Sequence, residues 1–120
     1  MLEDALPAEL PIPQKLRTCA ISLAHLGVRG VREVAWPRAK ALKVVSALEG
    51  TAWAILGGVV LVLRDGAYTR AYDNWYSDRR SDETCSDFVK RSHRETHSYI
   101  ERYPEGNDVV SYVLVFKQCI

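Results

Sequence analysis

The stretch over residues 51–63, TAWAILGGVVLVL, constrains the fold more than any other part of this chain. It is thirteen residues long and carries no charge and no proline. A membrane-crossing helix needs about twenty apolar residues, and each glycine inside a helix costs roughly 1 kcal/mol relative to alanine. A buried strand suits the run better. AWAIL (residues 52–56) is apolar on both faces, as in a covered central strand. Gly57-Gly58 either turns the chain or puts a bulge in one long strand. VVLVLR follows and ends at Asp65-Gly66, a good hairpin signal because such a turn needs positive φ. The next strand reads AYTRAYDNW, with Tyr68, Arg70 and Tyr72 on one face and Thr69 and Ala71 on the other.

Helices are predicted on either side. Leu16, Cys19, Ala20 and Leu23 fall at helical spacing from Gln14 onward, with Gly27 as the stop. A second helix is predicted from Trp36-Pro37, lined by Leu42, Val45 and Leu48 and ended by Gly50. The longest helix is predicted over residues 82–103. Cys85, Phe88, Val89, Ser92, Thr96, Tyr99, Ile100 and Tyr103 share one stripe of it. Ser81 or Asp82 is the expected cap, with Glu83 and Asp87 near the positive end of the dipole. Pro104 ends it, Glu105-Gly106-Asn107 turns the chain, and DVVSYVLVFK reads as a strong, central strand. The predicted order is α-α-β-β-β-α-β. That order implies an α+β fold: a largely antiparallel sheet of four or five strands, with helices packed mainly on one face. Trp53, Trp75, Phe88, Tyr99 and Tyr112 are the large side chains expected in its core.

The length of 120 residues fits one domain over residues 1–120, led by a proline-rich arm over residues 1–13. A hydrophobic share of 48% supplies a real core. A net charge of +1 leaves no basic field to hold a phosphate backbone, so nucleic acid is not an expected partner. MLEDALPAEL places acids where a signal peptide carries basic residues, and no membrane span is expected, so the expected location is cytoplasmic. Cys19, Cys85 and Cys119 make an odd count without paired spacing, which reads as three buried free thiols in a reducing compartment.

Candidates for chemistry are few. His93 and His97 lie four apart on one helix face, as two zinc ligands would. The zinc-protease motif wants glutamate directly after the first histidine, where Arg94 stands, and a third ligand is missing. Both histidines border the apolar stripe, as residues rimming a core do. Cys85 with a nearby histidine would make a thiol nucleophile, but it sits beside Phe88 and Val89, where desolvation raises a thiol's pKa. A small metal- or thiol-dependent hydrolase using Cys85, His93 and His97 is therefore the runner-up reading, and a secretion adaptor or chaperone a third. No phosphate-loop or calcium-loop spacing is present, and the acids Asp73, Asp78, Asp82 and Glu83 read as solvated charge. Neither a metal nor a cofactor is expected.

The stretch YDNWYSDRR (residues 72–80) crowds three aromatic rings against four charges. As a fold corner it would turn Trp75 inward over the core end, while Asp73-Asn74 shapes the entry to the helix. As a binding surface it would turn Tyr76 and the charges outward, since Trp, Tyr and Arg dominate interface energetics. Taken together, AILGG and its valine-rich strand, YDNWY, VKRSHRETHSYIERY and the closing SYVLVF resemble the immunity protein 40 family of bacterial polymorphic toxin systems, including contact-dependent growth inhibition. The likeness spans roughly residues 31–116 and rests on a glycine pair, an Asn-Trp pair and an Arg-Ser in the helix. Val59 stands where the resemblance implies an acidic residue. The resemblance implies a cytoplasmic, non-enzymatic protein that binds the cognate toxin domain of an effector and blocks it. The expected toxin-binding patch is Tyr76, Asp78, Arg79 and Arg80 with the start of the long helix, Asp82, Glu83 and Asp87.

Overall fold

A computed structural model describes residues 6–22 and 34–120. The elements run α1 (Gln14–Thr18), β1 (Ile21–Ser22), β2 (Val34–Pro37), α2 (Arg38–Ala47), β3 (Trp53–Arg64), β4 (Ala67–Tyr76), α3 (Cys85–Arg102) and β5 (Val110–Gln118). Five strands form one sheet in the order β1-β2-β5-β3-β4, every pairing antiparallel. The fold is α+β, as expected, and β5 lies near the centre of the sheet. One face carries the main core. There Trp36, Ile55, Val60, Val62, Tyr112 and Leu114 pack with residues of α1, α2 and α3. On the other face Ala35, Leu61 and Val113 form a separate small cluster, joined by Val59 and Tyr68. Val59 thus packs as an apolar side chain where the resemblance implied an acid.

The glycine pair resolves into the second of its two readings. β3 is one strand of 12 residues, and its register against β5 slips between Ile55 and Gly57. The slip inserts Leu56 as an extra residue, as a β-bulge does. Asp65 (φ 52) and Gly66 (φ 80) then close a two-residue hairpin into β4, both in the left-handed region that a type I′ turn requires. A second irregularity in this hairpin lies between Val59 and Leu61, opposite Tyr72, which sits at φ 62 and is 92% exposed. β4 is one of the two edge strands, and this bulge interrupts what would otherwise be a long, flat edge open to stray pairing.

Three expectations near the helices are corrected. The first helix spans five residues, stops at Thr18 and gives way to β1; its expected continuation through Leu23 to Gly27 lies outside the described residues. Trp36 belongs to β2, opposite Tyr112 of β5, and α2 starts after Pro37. The cap of α3 is Thr84, whose hydroxyl accepts from the Asp87 amide at 3.1 Å, rather than Ser81 or Asp82. At the other end of α3, the Arg38 guanidinium donates to the carbonyls of Ile100 and Tyr103, satisfying acceptors that a helix end leaves open.

The cysteine expectation is also overturned. Cys85 and Cys119 are joined by a disulfide that ties the first residue of α3 to the residue after β5, 34 positions along the chain. Cys19 is a free thiol, and it is exposed rather than buried. No helix among the described residues is long and apolar enough to cross a membrane.

Candidate functional site

The residues that carry the sequence motifs meet in space, and they meet as scaffolding. Gly57 and Gly58 of β3 pair with Tyr76 and Trp75 of β4. A side chain at Gly57 would run into the backbone of Trp75 and Tyr76, and one at Gly58 would occupy the place of the Trp75 ring. The indole lies against that bare stretch of strand, stacks on Tyr99 with centroids 4.5 Å apart, and donates to Thr96 Oγ1 at 3.0 Å. Ser92 accepts from the Ile55 amide at 3.1 Å, at the bulge, and donates to the Val89 carbonyl at 2.8 Å. The hydroxyl therefore occupies an amide that the slipped register offers to a side chain instead of a strand.

Arg91 does the same service for the loop between β4 and α3. It grips Glu83 with two parallel hydrogen bonds, both at 2.8 Å, and also reaches Glu95 at 2.8 Å and the Asp78 carbonyl. The Arg91 and Glu83 side chains are only 11% and 10% exposed. The Arg91 hydrogen bond, helped by the Arg80 amide, holds the Glu83 carboxyl well below its usual range, at about 2. Glu83 in turn accepts from the Arg80 amide at 3.1 Å, and its own carbonyl accepts from Arg79 Nε at 2.9 Å. Ser77 donates to Glu95 at 2.7 Å. The loop is thus set from its own side chains before any partner arrives.

YDNWYSDRR divides accordingly. Trp75 turns inward. Asp73 accepts from the Tyr103 hydroxyl at 2.6 Å, and that hydrogen bond, followed by burial, pushes the phenol up to about 12. Tyr76, Asp78, Arg79 and Arg80 are exposed, as are Asp82 and Asp87. The structure brings these six together on one corner, at the end of β4 and the start of α3. It withdraws Glu83 into the Arg91 clamp. Of the expected core side chains, Phe88 and Tyr112 are buried, while Trp53, Trp75 and Tyr99 are partly buried and pack against the core.

Two recesses flank this corner. One of about 320 Å³ has Leu56 and Phe88 in its lining, with Asp78, Arg79 and Lys117 among its polar residues. The other, of about 880 Å³, lies between the end of α2 and the first half of α3. Cys119 lines both, so the disulfide forms part of the partition between them. Sequence reasoning missed the larger recess, the Arg91 clamp and the cysteine pair. The aromatic and charge density at residues 72–80 was the one signal for the corner, and no local spacing announces a pairing across 34 residues.

The runner-up chemistry is not assembled. Cys85 is in a disulfide and offers no thiol. His93 is 9% exposed, and its Nε2 lies 2.7 Å from the Trp53 carbonyl, which can only accept, so this nitrogen carries the proton and is not a metal ligand. His97 Nδ1 lies 3.7 Å from Glu101. Among the described residues no three or more His, Cys, Asp or Glu side chains cluster as a metal site would need.

No curated protein and no solved structure matches this chain. A family model does, over residues 22–116. That span takes in the glycine pair, the Asn-Trp pair, the Arg91–Ser92 pair, β2 to β4 and most of β5, and on it the chain belongs to the immunity protein 40 family.

Proposed function

We propose that this chain, as one immunity-type domain, binds and neutralises the C-terminal toxin domain of a cognate bacterial effector of the contact-dependent inhibition type, in the cytoplasm and without catalysis. Family membership supports toxin neutralisation. The observation that carries the binding mode is the corner locked by Glu83 and Arg91, which presents Tyr76, Asp78, Arg79, Arg80, Asp82 and Asp87 from a prefolded loop. Ordering such side chains on binding costs about 0.5–1.5 kcal/mol each, and a loop already held avoids part of that cost. Nanomolar affinity needs about −12 kcal/mol, commonly from about 800 Å² per partner. The mixed charges favour fast capture of a partner bearing the opposite pattern. A cytoplasmic site of action sets the Cys85–Cys119 bond against a reducing glutathione pool.

The test is co-expression with the open reading frame immediately upstream, followed by co-purification. Calorimetry then compares the wild-type chain with the Tyr76→Ala/Asp78→Ala variant. A loss of at least about tenfold, worth about 1.4 kcal/mol, is expected from a central aromatic anchor and its neighbour. Unchanged affinity in a folded variant would remove this corner as the toxin-binding face.

A further inference from the structure

The groove between α2 and α3 has a charge pattern that the corner does not explain. Val45 and Ser46 line it from α2, Glu49 from the turn after α2, Ser86, Lys90 and Arg94 from α3, and Ala52, Val89 and the disulfide cysteines are also in the lining. Lys90 and Arg94 are both exposed, one turn apart on the helix. Neither has a carboxylate within ion-pair distance among the described residues, whereas Arg91, between them, holds two. His93 and His97 line the same groove. Glu49, in the turn after α2, is the one carboxylate among the described lining residues.

From Ser86 to His97 the helix wall runs about 16 Å at 1.5 Å per residue. That length matches about five residues of extended chain. The small residues Ser46, Gly50, Ala52 and Ser86 leave room for backbone to lie close. A nucleic acid strand does not fit this pattern: Asp87, Glu95 and Glu101 stand on the same helix, and two free cations make no phosphate-tracking stripe. An apolar helix would leave both cations desolvated and unpaired against its surface, which is costly.

We propose that this groove seats a short acidic segment of the partner protein, its carboxylates paired with Lys90 and Arg94 while its backbone runs along the α3 wall. The proposal rests on the toxin-binding reading and gives that partner's chemistry. The groove adjoins the corner through the wall formed by Cys119, so one partner can cover both.

The experiment measures binding of the co-purified toxin domain by calorimetry at about 50 and about 500 mM salt, a range over which surface charge becomes largely screened. The chains compared are wild type, Lys90→Glu/Arg94→Glu and Lys90→Gln/Arg94→Gln, each first shown to melt as wild type does. The charge-reversed pair is expected to bind at least about tenfold more weakly at low salt. The neutral pair should fall between, and the difference from wild type should shrink at high salt. Wild-type binding with both variants within about twofold of it overturns the acidic-segment inference and leaves the toxin-binding reading standing. Failure of the wild-type chain to bind overturns both.

Discussion

Trp75 shows how one side chain can settle the meaning of two motifs. Its ring fills the space that Gly58 leaves bare, stacks on Tyr99 and donates to Thr96. Trp75→Ala should cost about 3 kcal/mol in urea unfolding, the lower end for removing a packed large aromatic, since this one is partly exposed. Gly58→Ala should cost about 1–3 kcal/mol or more, because the added methyl meets the Val113 carbonyl of β5 as well as the ring. A Gly58→Ala chain as stable as wild type would contradict the packing described. Glu83 makes a separate, pH-dependent claim. Its carboxyl, held at about 2 in the folded chain, is ordinary in the unfolded one, so the unfolded state takes up the proton first as pH falls. Its stabilising contribution is complete above about pH 4.5 and is lost as pH drops toward 2. The melting temperature of Glu83→Gln should therefore vary less with pH across that window than that of wild type. None of these partnerships can be read along the chain. The glycine pair, the Asn-Trp pair and the Arg-Ser pair were visible as motifs, but that Gly58 meets Trp75 follows from the hairpin register, and that Ser92 meets the Ile55 amide follows from the docking of α3.

Among the elements, the long patterns were legible and the short ones were not. β5 alternates over nine residues, and α3 keeps its stripe over 18, so neither needed a neighbour to be recognised. β2 has four residues and β1 two, too few for any period to emerge, and Trp36-Pro37 gave a false helix start because proline suits a cap position as well as a first turn. The candidate corner was legible from composition alone, except for Glu83, whose burial depends on Arg91 two turns into the next helix. The disulfide belongs to this scale because it fastens α3 to the end of β5. Closing a loop between cysteines with a sequence separation of 34 should stabilise the chain by about 3–4 kcal/mol on the chain-entropy account. Cys85→Ser/Cys119→Ser should lower the urea midpoint accordingly, and a reductant should bring the wild type to the same value. An unchanged midpoint under reduction would show that the bond adds no stability.

At the scale of the whole molecule, the chain is nearly neutral, with 16 basic and 15 acidic residues, yet its charges are unevenly spent. Arg91 and Glu83 are consumed internally, and Arg38 and Glu105 are drawn together at the foot of α3 with Tyr112. The corner and the groove leave theirs exposed, as the proposed binding of an outside partner requires. The Trp75 indole has a wider consequence. A single ring is touched at once by β3, carried by β4 and clasped by α3, so the hairpin cannot unlatch while the helix stays docked, nor the helix lift while the hairpin stays shut. Backbone protons at Gly58, Trp75 and Thr96 should therefore trade with deuterium at one common pace, set by a single opening of the entire body and not by fraying at any margin.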